Sequence, residues 1–499
     1  MARPGARVII DQDFSIFRGC LWRSRLGLTL IVGIAISLGV ISQAGAAGAN
    51  GPSVLTSFDG PFDLMTGPPD ATLAAGPTRI VQSVNSQYAI VDRSGVGVSG
   101  PIRDLVGATQ SMFLTDPQVA WDPQSDRFFY SIFENRGSTT PDEGIAWGFS
   151  KTGTPNSTAD WCQYFTRFDY GGSAFPDRPS LGLTSDFVIF VSERFGVPNE
   201  DFQGVDLAWV TKPGKKKPCP RENTLKTGIS RLTDSGGAPL EFGTAVRNVD
   251  LSRSGWVIAQ PATSNANLLL YEITKNGRVA TVAGPRVVAV PAYTPPPPAP
   301  QAGLAAAGTP APTLETKGYP TQAYGAVDPR FGHVDIWTAH GVAGGAGAAV
   351  RWYEINPSAA TVDQIGTVED PSLYVFNGTI APDRLVNGKI AAFGSAMVMT
   401  VNTSSPTTDV AIGVLSKNGA DSQSPITVVK TSPGPNVDFN CYQPTRSSCR
   451  WGDYSGTSPD PGAAATGSTG QVWLTNQWNV ASIDDSTPAW RTFTALTVP

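Results

Sequence analysis

Charged side chains recur in this sequence at the starts of short apolar runs. Three of them are arginines, and the guanidinium fork of arginine pairs with a carboxylate through two parallel hydrogen bonds. Three arginines brought together from different parts of the chain could therefore clamp an acidic ligand, with a nearby aspartate as proton donor. The candidate ligand-binding residues are Asp116, Asp177, Arg178, Arg247, Asp370, Arg450 and Asp453.

The same polar residues have a second interpretation, because hydrogen bonds between them could lock neighbouring repeats of the chain together. No familiar catalytic signature decides between the two, since the sequence has no Gly-x-Ser-x-Gly, P-loop or His-Glu-x-x-His motif. Its two histidines, His333 and His340, lie on one predicted strand, where a structural role is the simpler interpretation. We therefore assign no catalytic residue, no cofactor and no metal site from the sequence.

The elements that must position these residues are short strands. From Pro68 to the C-terminus one loose pattern recurs seven times: a start with Asp or Pro, an apolar run, a turn and a second apolar run. Turns such as Asp-Pro and Lys-Asn-Gly separate the runs, and no ten-residue stretch beyond residue 46 keeps the 3.6-residue apolar period of a helix. This pattern predicts an all-β fold, a single β-propeller of four-stranded antiparallel blades, with seven blades favoured over six.

The last two repeats give strand positions that a structure can check. The C-terminal strand is expected to share its blade with residues from the start of the exported chain. The predicted strands are 372–376, 390–393 and 410–415 in the sixth repeat, and 451–455, 472–474 and 493–498 in the seventh.

A proline- and alanine-rich segment at 291–315 interrupts the repeats. Its composition predicts an extended, exposed conformation of the polyproline type. A domain linker is one interpretation. Because repeats of the same kind stand on both sides, we favour a loop inserted between the fourth and fifth blades.

Composition and charge narrow the class of protein. Among 499 residues only 15% are charged, while Gly (53) and Pro (42) are abundant and 12 Trp supply apolar surface. Such a chain has enough hydrophobic residues to build a core. The formal net charge of -5 provides no basic surface to neutralise phosphates, which argues against nucleic acid as a partner. We expect a monomer.

The N-terminus has the features of an export signal. Arg18, Arg23 and Arg25 precede an apolar stretch at 26–41, and small residues follow at 44–46. This order predicts a signal peptide at 1–46 and a mature domain at 47–499, outside the cell or at its surface. The alternative is an uncleaved anchor, for which the apolar stretch is short compared with the about 20 residues that a membrane-spanning helix needs.

The predicted export suggests that the cysteines form disulfides. Four of the five lie beyond the predicted signal peptide, and an even number in an exported chain suggests two disulfides, with three connectivities open. The short spacing favours Cys441–Cys449, which leaves Cys162 to pair with Cys219.

A family resemblance is carried by short phrases at 116–123 (DPQVAWDP), 177–183 (DRPSLGL), 349–354 (AVRWYE), 370–374 (DPSLY) and 450–455 (RWGDYS). They resemble secreted bacterial β-propeller proteins with sialidase-like repeats, a largely uncharacterised group. The resemblance implies export and a propeller fold, and no particular activity. Sialidases usually also carry Ser-x-Asp-x-Gly-x-x-Trp turns, of which this chain has no clean copy.

These observations favour a non-catalytic binding scaffold over an enzyme. Its ligand, a carbohydrate or a protein, is expected at the mouth of the propeller channel. One alternative is a sialidase-like glycoside hydrolase, with Arg178, Arg247 and Arg450 as the clamp and Asp116 or Asp453 as the acid. Another is a purely structural surface protein. Convergence of the three guanidinium groups in one pocket would favour the hydrolase.

Overall fold

Strands make up nearly all of the regular structure of this chain. A computed structural model describes residues 51–108, 113–136, 143–168, 170–215, 219–250, 252–305, 308–442, 448–480, 482 and 484–499. The predicted signal peptide lies outside these residues. Within them the helices are short: α1 (Ile102–Val106) and the 3-10 turns Thr158–Asp160, Glu222–Thr224 and Phe439–Tyr442. The all-β prediction is confirmed.

The strands follow one another with tight turns, as the turn residues predict. Gly277, for example, takes a φ of 63° after the third strand of the fourth repeat, a conformation that glycine adopts without strain. In chain order the strands of the described residues are β1 (Ser53–Asp59), β2 (Thr72–Ala75), β3 (Ile80–Ser83), β4 (Gln87–Val91), β5 (Gly97–Pro101), β6 (Phe113–Asp122), β7 (Arg127–Asn135), β8 (Glu143–Ser150), β9 (Trp161–Arg167), β10 (Ala174–Leu183), β11 (Phe187–Gly196), β12 (Phe202–Thr211), β13 (Thr227–Leu232), β14 (Leu240–Asn248), β15 (Gly255–Pro261), β16 (Asn267–Asn276), β17 (Val279–Ala289), β18 (Thr313–Leu314), β19 (Ala323–Asp328), β20 (His333–Gly344), β21 (Gly347–Asn356), β22 (Thr361–Val368), β23 (Tyr374–Pro382), β24 (Leu385–Asn387), β25 (Ile390–Ala392), β26 (Ala396–Ser405), β27 (Thr408–Asn418), β28 (Thr427–Thr431), β29 (Ser448–Cys449), β30 (Gly456–Pro459), β31 (Val472–Asn479) and β32 (Trp490–Val498).

Antiparallel pairing groups these strands into four-stranded sheets. The groups are sheet 1 (β2–β5), sheet 2 (β6–β9), sheet 3 (β10–β13), sheet 4 (β14–β17), sheet 5 (β19–β22), sheet 6 (β23, β26, β27, β28) and sheet 7 (β30, β31, β32, β1). Parallel contacts between β10, β14 and β19 also join the first strands of sheets 3, 4 and 5. In sheet 7 the strand β1 pairs with β32, so the C-terminal strand shares its sheet with residues near the start of the chain, as predicted.

Apolar side chains fill the spaces between consecutive sheets. Trp147 of sheet 2 packs with Phe190 of sheet 3, their ring centroids 6.0 Å apart. Trp473 of sheet 7 packs with Leu73 and Ile80 of sheet 1. The first strand of each sheet is largely buried, whereas fourth strands such as β13 and β17 alternate towards solvent. Burial on both faces explains why the first three strands read as apolar runs rather than strict alternations.

Two strand predictions are wrong in detail. In the sixth repeat the second strand of the sheet is β26, and 390–393 instead forms a small hairpin, β24–β25, whose Ile390 is 50% exposed. In the seventh repeat the first strand is β30, which begins after the predicted 451–455. Both errors arise because short apolar runs occur in loops as well as in strands.

The inserted segment is exposed in only part of its length. Residues 291–298 have no regular structure and are mostly exposed or half-buried, as predicted. From Ala299 the segment is anchored: Ala299 and Leu314 are fully buried. Strand β18 pairs in parallel with β29. The prediction of an exposed loop is therefore wrong at Ala299, Ala305 and Leu314, which are buried, while Leu304 and residues 308–310 are exposed.

Both favoured disulfides are present, Cys162–Cys219 and Cys441–Cys449. The first joins β9 to the connection that follows β12, so it ties sheet 2 to sheet 3. The second closes a loop beside β29. The prediction of two disulfide bonds is confirmed.

The two disulfides should differ in their effect on stability. Their sequence separations are 57 and 8 residues. Loop-closure entropy then predicts stabilisation of about 4 kcal/mol and about 2.5 kcal/mol respectively. We expect the double variant C162S/C219S to lose more free energy of unfolding in urea than C441S/C449S. An equal or reversed order would contradict this prediction.

Candidate functional site

A repeated backbone feature marks the beginnings of the first strands. Four residues there have φ in the left-handed region: Asp70 (51°), Asp116 (58°), Arg178 (45°) and Asn377 (50°). In β6, β10 and β23 the pairing register shifts at that residue. Such a bulge turns a side chain out of the ladder, and Asp and Asn tolerate the conformation better than most residues. The bulges place polar side chains where the first strands begin.

Charged and aromatic side chains gather at this end of the first strands. One carboxylate oxygen from each of Asp70, Asp116 and Asp453 lies within 4.8 Å of the others. Asn85 ties two of them, since its amide nitrogen donates to Asp70 at 2.5 Å and its oxygen accepts the Asp116 backbone N–H at 2.7 Å. We call the whole group the mouth cluster: Asp70, Asn85, Asp116, Asp177, Arg178, Glu193, Lys317, Tyr319, Arg450, Asp453 and Tyr454.

Asp453 is the most strongly compensated carboxylate of the mouth cluster. It is 2% exposed, and it receives Lys317 at 3.0 Å, Arg450 at 2.7 Å and the Tyr319 hydroxyl at 3.2 Å. Burial acts to raise the pKa of Asp453, but Lys317, Arg450 and Arg178 outweigh it and hold that pKa well below its ordinary value. The carboxylate is therefore ionised and shared between cations of two chain segments.

Arg178 is engaged within the protein. Its Nε donates to Glu193 Oε2 at 3.0 Å, and its Nη2 donates to Oε1 of the same residue. The guanidinium carbon also lies 4.0 Å from the ring centroid of Tyr319 and 4.8 Å from that of Phe242. The two hydrogen bonds to Glu193 use the fork that a clamp would need for a ligand carboxylate.

Three other acids of the mouth cluster shift towards their protonated forms. Burial, with Asp453, raises the pKa of Asp70 to about 6. Burial also raises the pKa of Glu193 to about 7, against the opposing effect of Arg178. Burial and the neighbouring Asp177 and Asp70 raise the pKa of Asp116 well above its ordinary value. Carboxyl groups of this kind can exchange protons near neutral pH.

The residues that follow the inserted segment contribute to the mouth cluster. Lys317 and Tyr319 both belong to the stretch between β18 and β19, and the Tyr319 ring stacks on Phe242 at 4.0 Å. The Glu315 backbone N–H donates to the Cys449 carbonyl at 2.9 Å, next to the second disulfide. Lys317 and Arg450 keep side-chain exposures of 24% and 17%. The solvent-facing part of the cluster is thus cationic, over buried carboxylates.

Two predicted site residues do not join this group. Asp370 lies in a surface turn, where its Oδ1 accepts from the Ser372 N–H (2.8 Å), the Ser372 hydroxyl (2.7 Å) and the Leu373 N–H (3.1 Å). These bonds lower the pKa of Asp370. The residue at the equivalent place in sheet 6 is Asn377.

Arg247 lies deeper along the first strands. Its Nη2 donates to Gln118 Oε1 and its Nε to the Leu181 carbonyl at 3.4 Å. It also lines a narrow cleft with Trp121 and Tyr324, next to the Asp-Pro turns that end the first strands. The structure therefore brings together Asp116, Asp177, Arg178, Arg450 and Asp453 and leaves out Asp370 and Arg247.

Sequence reasoning missed several members of the mouth cluster. Asp70 stands before Ala-Thr as Asp453 stands before Tyr-Ser, so alignment of the repeats against each other could have found it. Glu193 lies opposite Asp177 in the β10–β11 pairing, which needs the register to be known. Lys317 and Tyr319 come from the connection that follows the inserted segment, and no sequence pattern connects them to the repeats.

His340 is unavailable for a catalytic triad. It is 1% exposed, and its Nδ1 and Nε2 lie 3.1 Å from the Gly341 carbonyl and 2.9 Å from the Tyr353 hydroxyl. Burial lowers the pKa of His340 to about 4. Among the described residues, two groups could hold a metal by proximity: Asp70, Asp116 and Asp453, where Lys317 and Arg450 already compensate the charge, and His333, Asp335 and Asp363.

Comparisons with known proteins give no family. No family model matches the chain, and no curated protein matches its sequence. Similar solved structures include the Dos1 propeller (9% identity, 89% of this chain and 95% of that chain, TM-score 0.38). Others are an α-L-arabinanase of Penicillium chrysogenum complexed with arabinobiose (12%, 73% and 98%, TM-score 0.37) and a subtype N11 neuraminidase-like protein of the strain A/flat-faced bat/Peru/033/2010 (H18N11) (8%, 90% and 95%, TM-score 0.31). At these TM-scores the likenesses carry no argument about this chain.

The substitution Asp453→Asn should destabilise the protein strongly. It leaves Lys317 and Arg450 without their shared carboxylate, and breaking a buried ion pair on one side costs about 3 kcal/mol. Because folding lowers the pKa of Asp453 from 3.8, the stabilisation is present above about pH 4 and is lost as the pH falls below that value. Urea unfolding at pH 7 and pH 3 measures both effects.

Asp370→Asn is the matched control, since asparagine keeps the acceptor oxygen of that turn. We expect a change within about 0.5 kcal/mol. Similar losses for both variants at pH 7 would contradict the role assigned to Asp453.

Proposed function

We propose that this protein is an exported, closed β-propeller of seven blades that serves as a non-catalytic binding scaffold outside the cell or at its surface. The blades are sheets 1 to 7, with 47–499 as the propeller domain, 291–315 as its inserted loop and 1–46 as a cleaved signal peptide. In support of closure, each first strand contacts the next and β30 contacts β2. An apolar cluster also joins sheets 7 and 1.

The disulfides are consistent with export. Both disulfides are of the kind that persists in oxidising compartments. Within the described parts of the chain, no helix has the length and apolar character needed to cross a membrane.

The observation that carries the non-catalytic proposal is the state of the three arginines. Arg178 pairs with Glu193, Arg450 pairs with Asp453, and Arg247 bonds to Gln118 and Leu181. A carboxylate clamp needs three free forks that point to one place. Here Glu193 occupies the fork of Arg178, Arg450 donates one hydrogen bond to Asp453, and Arg247 lies elsewhere.

The ligand, a carbohydrate or a protein, is proposed to meet the exposed rim of the mouth cluster. Lys317 and Arg450 supply partly exposed donors there. Tyr454 lies among the same charges, since Asp116, Arg178 and Asp453 all act on its hydroxyl. That hydroxyl is buried and forms no hydrogen bond with the described residues. Donors above carboxylates suit a polar ligand that offers both acceptors and hydroxyl groups.

One observation favours the alternative, a sialidase-like glycoside hydrolase. The mouth cluster contains Arg178, Arg450, Tyr319 and Glu193 together. The raised pKa of Asp116 favours the protonated form of that carboxyl group. A tyrosine near a glutamate and a proton donor are the groups such chemistry needs.

A glycan array and a panel of fluorogenic glycosides test both functions on the same preparation. The scaffold proposal expects glycan binding that falls at least tenfold in Lys317→Gln and no hydrolysis. Lys275→Gln is the control, because Lys275 pairs with Asp186 at the opposite ends of the first strands. Hydrolysis that is lost in Arg178→Ala would establish the enzyme instead. A protein without glycan affinity would contradict the carbohydrate half of the proposal.

Removal of β1 tests ring closure. A chain that begins at residue 60 lacks the fourth strand of sheet 7, so β32 becomes an open edge. We expect a lower melting temperature and aggregation in light scattering, compared with a chain that begins at residue 51. Equal stability of the two chains would show that β1 does not close the propeller.

A further inference from the structure

A second group of charged residues lies on sheet 5, away from the mouth cluster. His333 and Asp335 stand at the start of β20, and Asp363 lies in β22. Residues two apart on a strand face the same side of the sheet, which brings His333 and Asp335 together. The β21–β22 register shifts at Asp363, and this bulge turns its side chain out of the ladder. One ligand atom from each of the three lies within 4.8 Å of the others.

Asp335 has the least compensated charge of the three residues. Its side chain has 0% exposure, and apart from a proton shared with Asp363, no donor among the described residues forms a hydrogen bond with its carboxylate oxygens. Its electrostatic neighbours include Asp363 and Asp328, which add negative charge. A buried carboxylate in this situation is costly unless a positive charge compensates it.

The cations near this group are already engaged. Arg330 pairs with Asp328 and also reaches Glu354 at 3.3 Å. Lys417 donates to Gln364 at 2.6 Å and to the Gly419 carbonyl. The carboxylates of Asp335 and Asp363 therefore have no uncommitted cation beside them. Either a proton held between them or a bound cation can compensate their negative charge.

His333, the third residue of the group, favours a bound cation over a shared proton. A single ion can take only one nitrogen of His333: Nδ1 lies 3.0 Å from Asp335 Oδ1, and Nε2 lies 3.6 Å from Asp363 Oδ2. The Nδ1 contact lies outside hydrogen-bond geometry. Neighbouring ligand atoms around a tetrahedral zinc ion stand about 3.3–3.6 Å apart, given metal–ligand bonds of about 2.0–2.2 Å. Side-chain exposures of 34% for His333 and 18% for Asp363 leave a path for an ion to enter.

We infer that His333, Asp335 and Asp363 bind a divalent first-row transition-metal cation, with Zn²⁺ as the best match. One imidazole nitrogen with two carboxylates suits such ions, whereas Ca²⁺ and Mg²⁺ prefer sites made of oxygen alone. Three protein ligands leave one position open to water or to a ligand of the protein. A cation on Nδ1 shifts the ring proton to Nε2, so the Asn356 amide nitrogen, 3.0 Å from Nε2, must then move aside.

Calorimetric titration of the chelator-treated, dialysed protein with Zn²⁺ tests this site directly. We expect one equivalent to bind and the melting temperature to rise with Zn²⁺ concentration. Asp363→Asn and His333→Gln should each weaken binding at least tenfold. Co²⁺ in place of Zn²⁺ should give visible absorption bands of a site with a nitrogen ligand, and these bands should be lost in His333→Gln.

Two control variants distinguish zinc binding at this group from zinc binding elsewhere on the protein. Asp370→Asn changes an aspartate in a surface turn and should bind Zn²⁺ as the unchanged protein does. Asp116→Asn alters the only other group among the described residues whose ligand atoms lie close enough together to hold a metal ion. Loss of binding in Asp116→Asn but not in Asp363→Asn would overturn the inference. So would the absence of stoichiometric Zn²⁺ binding by a folded protein, since a shared proton would then compensate the two carboxylates.

Discussion

Every sheet of this protein has two apolar faces, and each face must be covered by a neighbouring sheet. That requirement explains the burial of the first three strands, the placement of Trp147 and Trp473 between sheets, and the crowding of the first strands against each other. Polar groups at the ends of those strands are drawn into the same crowded region. They lose water there, so their partners have to come from the protein itself.

The mouth cluster is the consequence of that crowding. Its carboxylates lie in or beside sheets 1, 2, 3 and 7, yet one of the strongest compensating cations, Lys317, comes from the connection between β18 and β19, just after the insertion. This connection thus completes the charge balance of the mouth cluster. The parallel pairing of β18 with β29, next to the Cys441–Cys449 disulfide, holds its start in place.

The buried negative charge of Asp453 and that of Asp335 are compensated in different ways. Around Asp453, lysine and arginine supply the positive charge, and the pKa of the carboxyl falls. Around Asp335, the nearby arginine and lysine are committed elsewhere, and the pKa of the buried carboxyl rises to about 8. Burial is common to both. Where the protein supplies a cation, as it does at Asp453, the carboxylate stabilises the fold. Where it supplies none, as at Asp335, an ion or a proton has to compensate the carboxylate.

The sequence by itself determined the fold class, the short strands and their turns, because turn residues and apolar runs act over a few residues. It left three disulfide connectivities open and favoured the two pairings that are present, and it led us to expect that the last strand shares its sheet with a strand near the start of the chain. The repeated Asp and Arg positions also led to Asp116, Asp177, Arg178, Arg450 and Asp453, which do lie together. Tertiary structure alone decided that Arg247 lies deeper, that Asp370 caps a turn while Asn377 takes its expected place, and that Lys317, Tyr319 and Glu193 complete the cluster. Those contacts join residues far apart in the chain, and only the strand register and the path of the insertion bring them within hydrogen-bond distance.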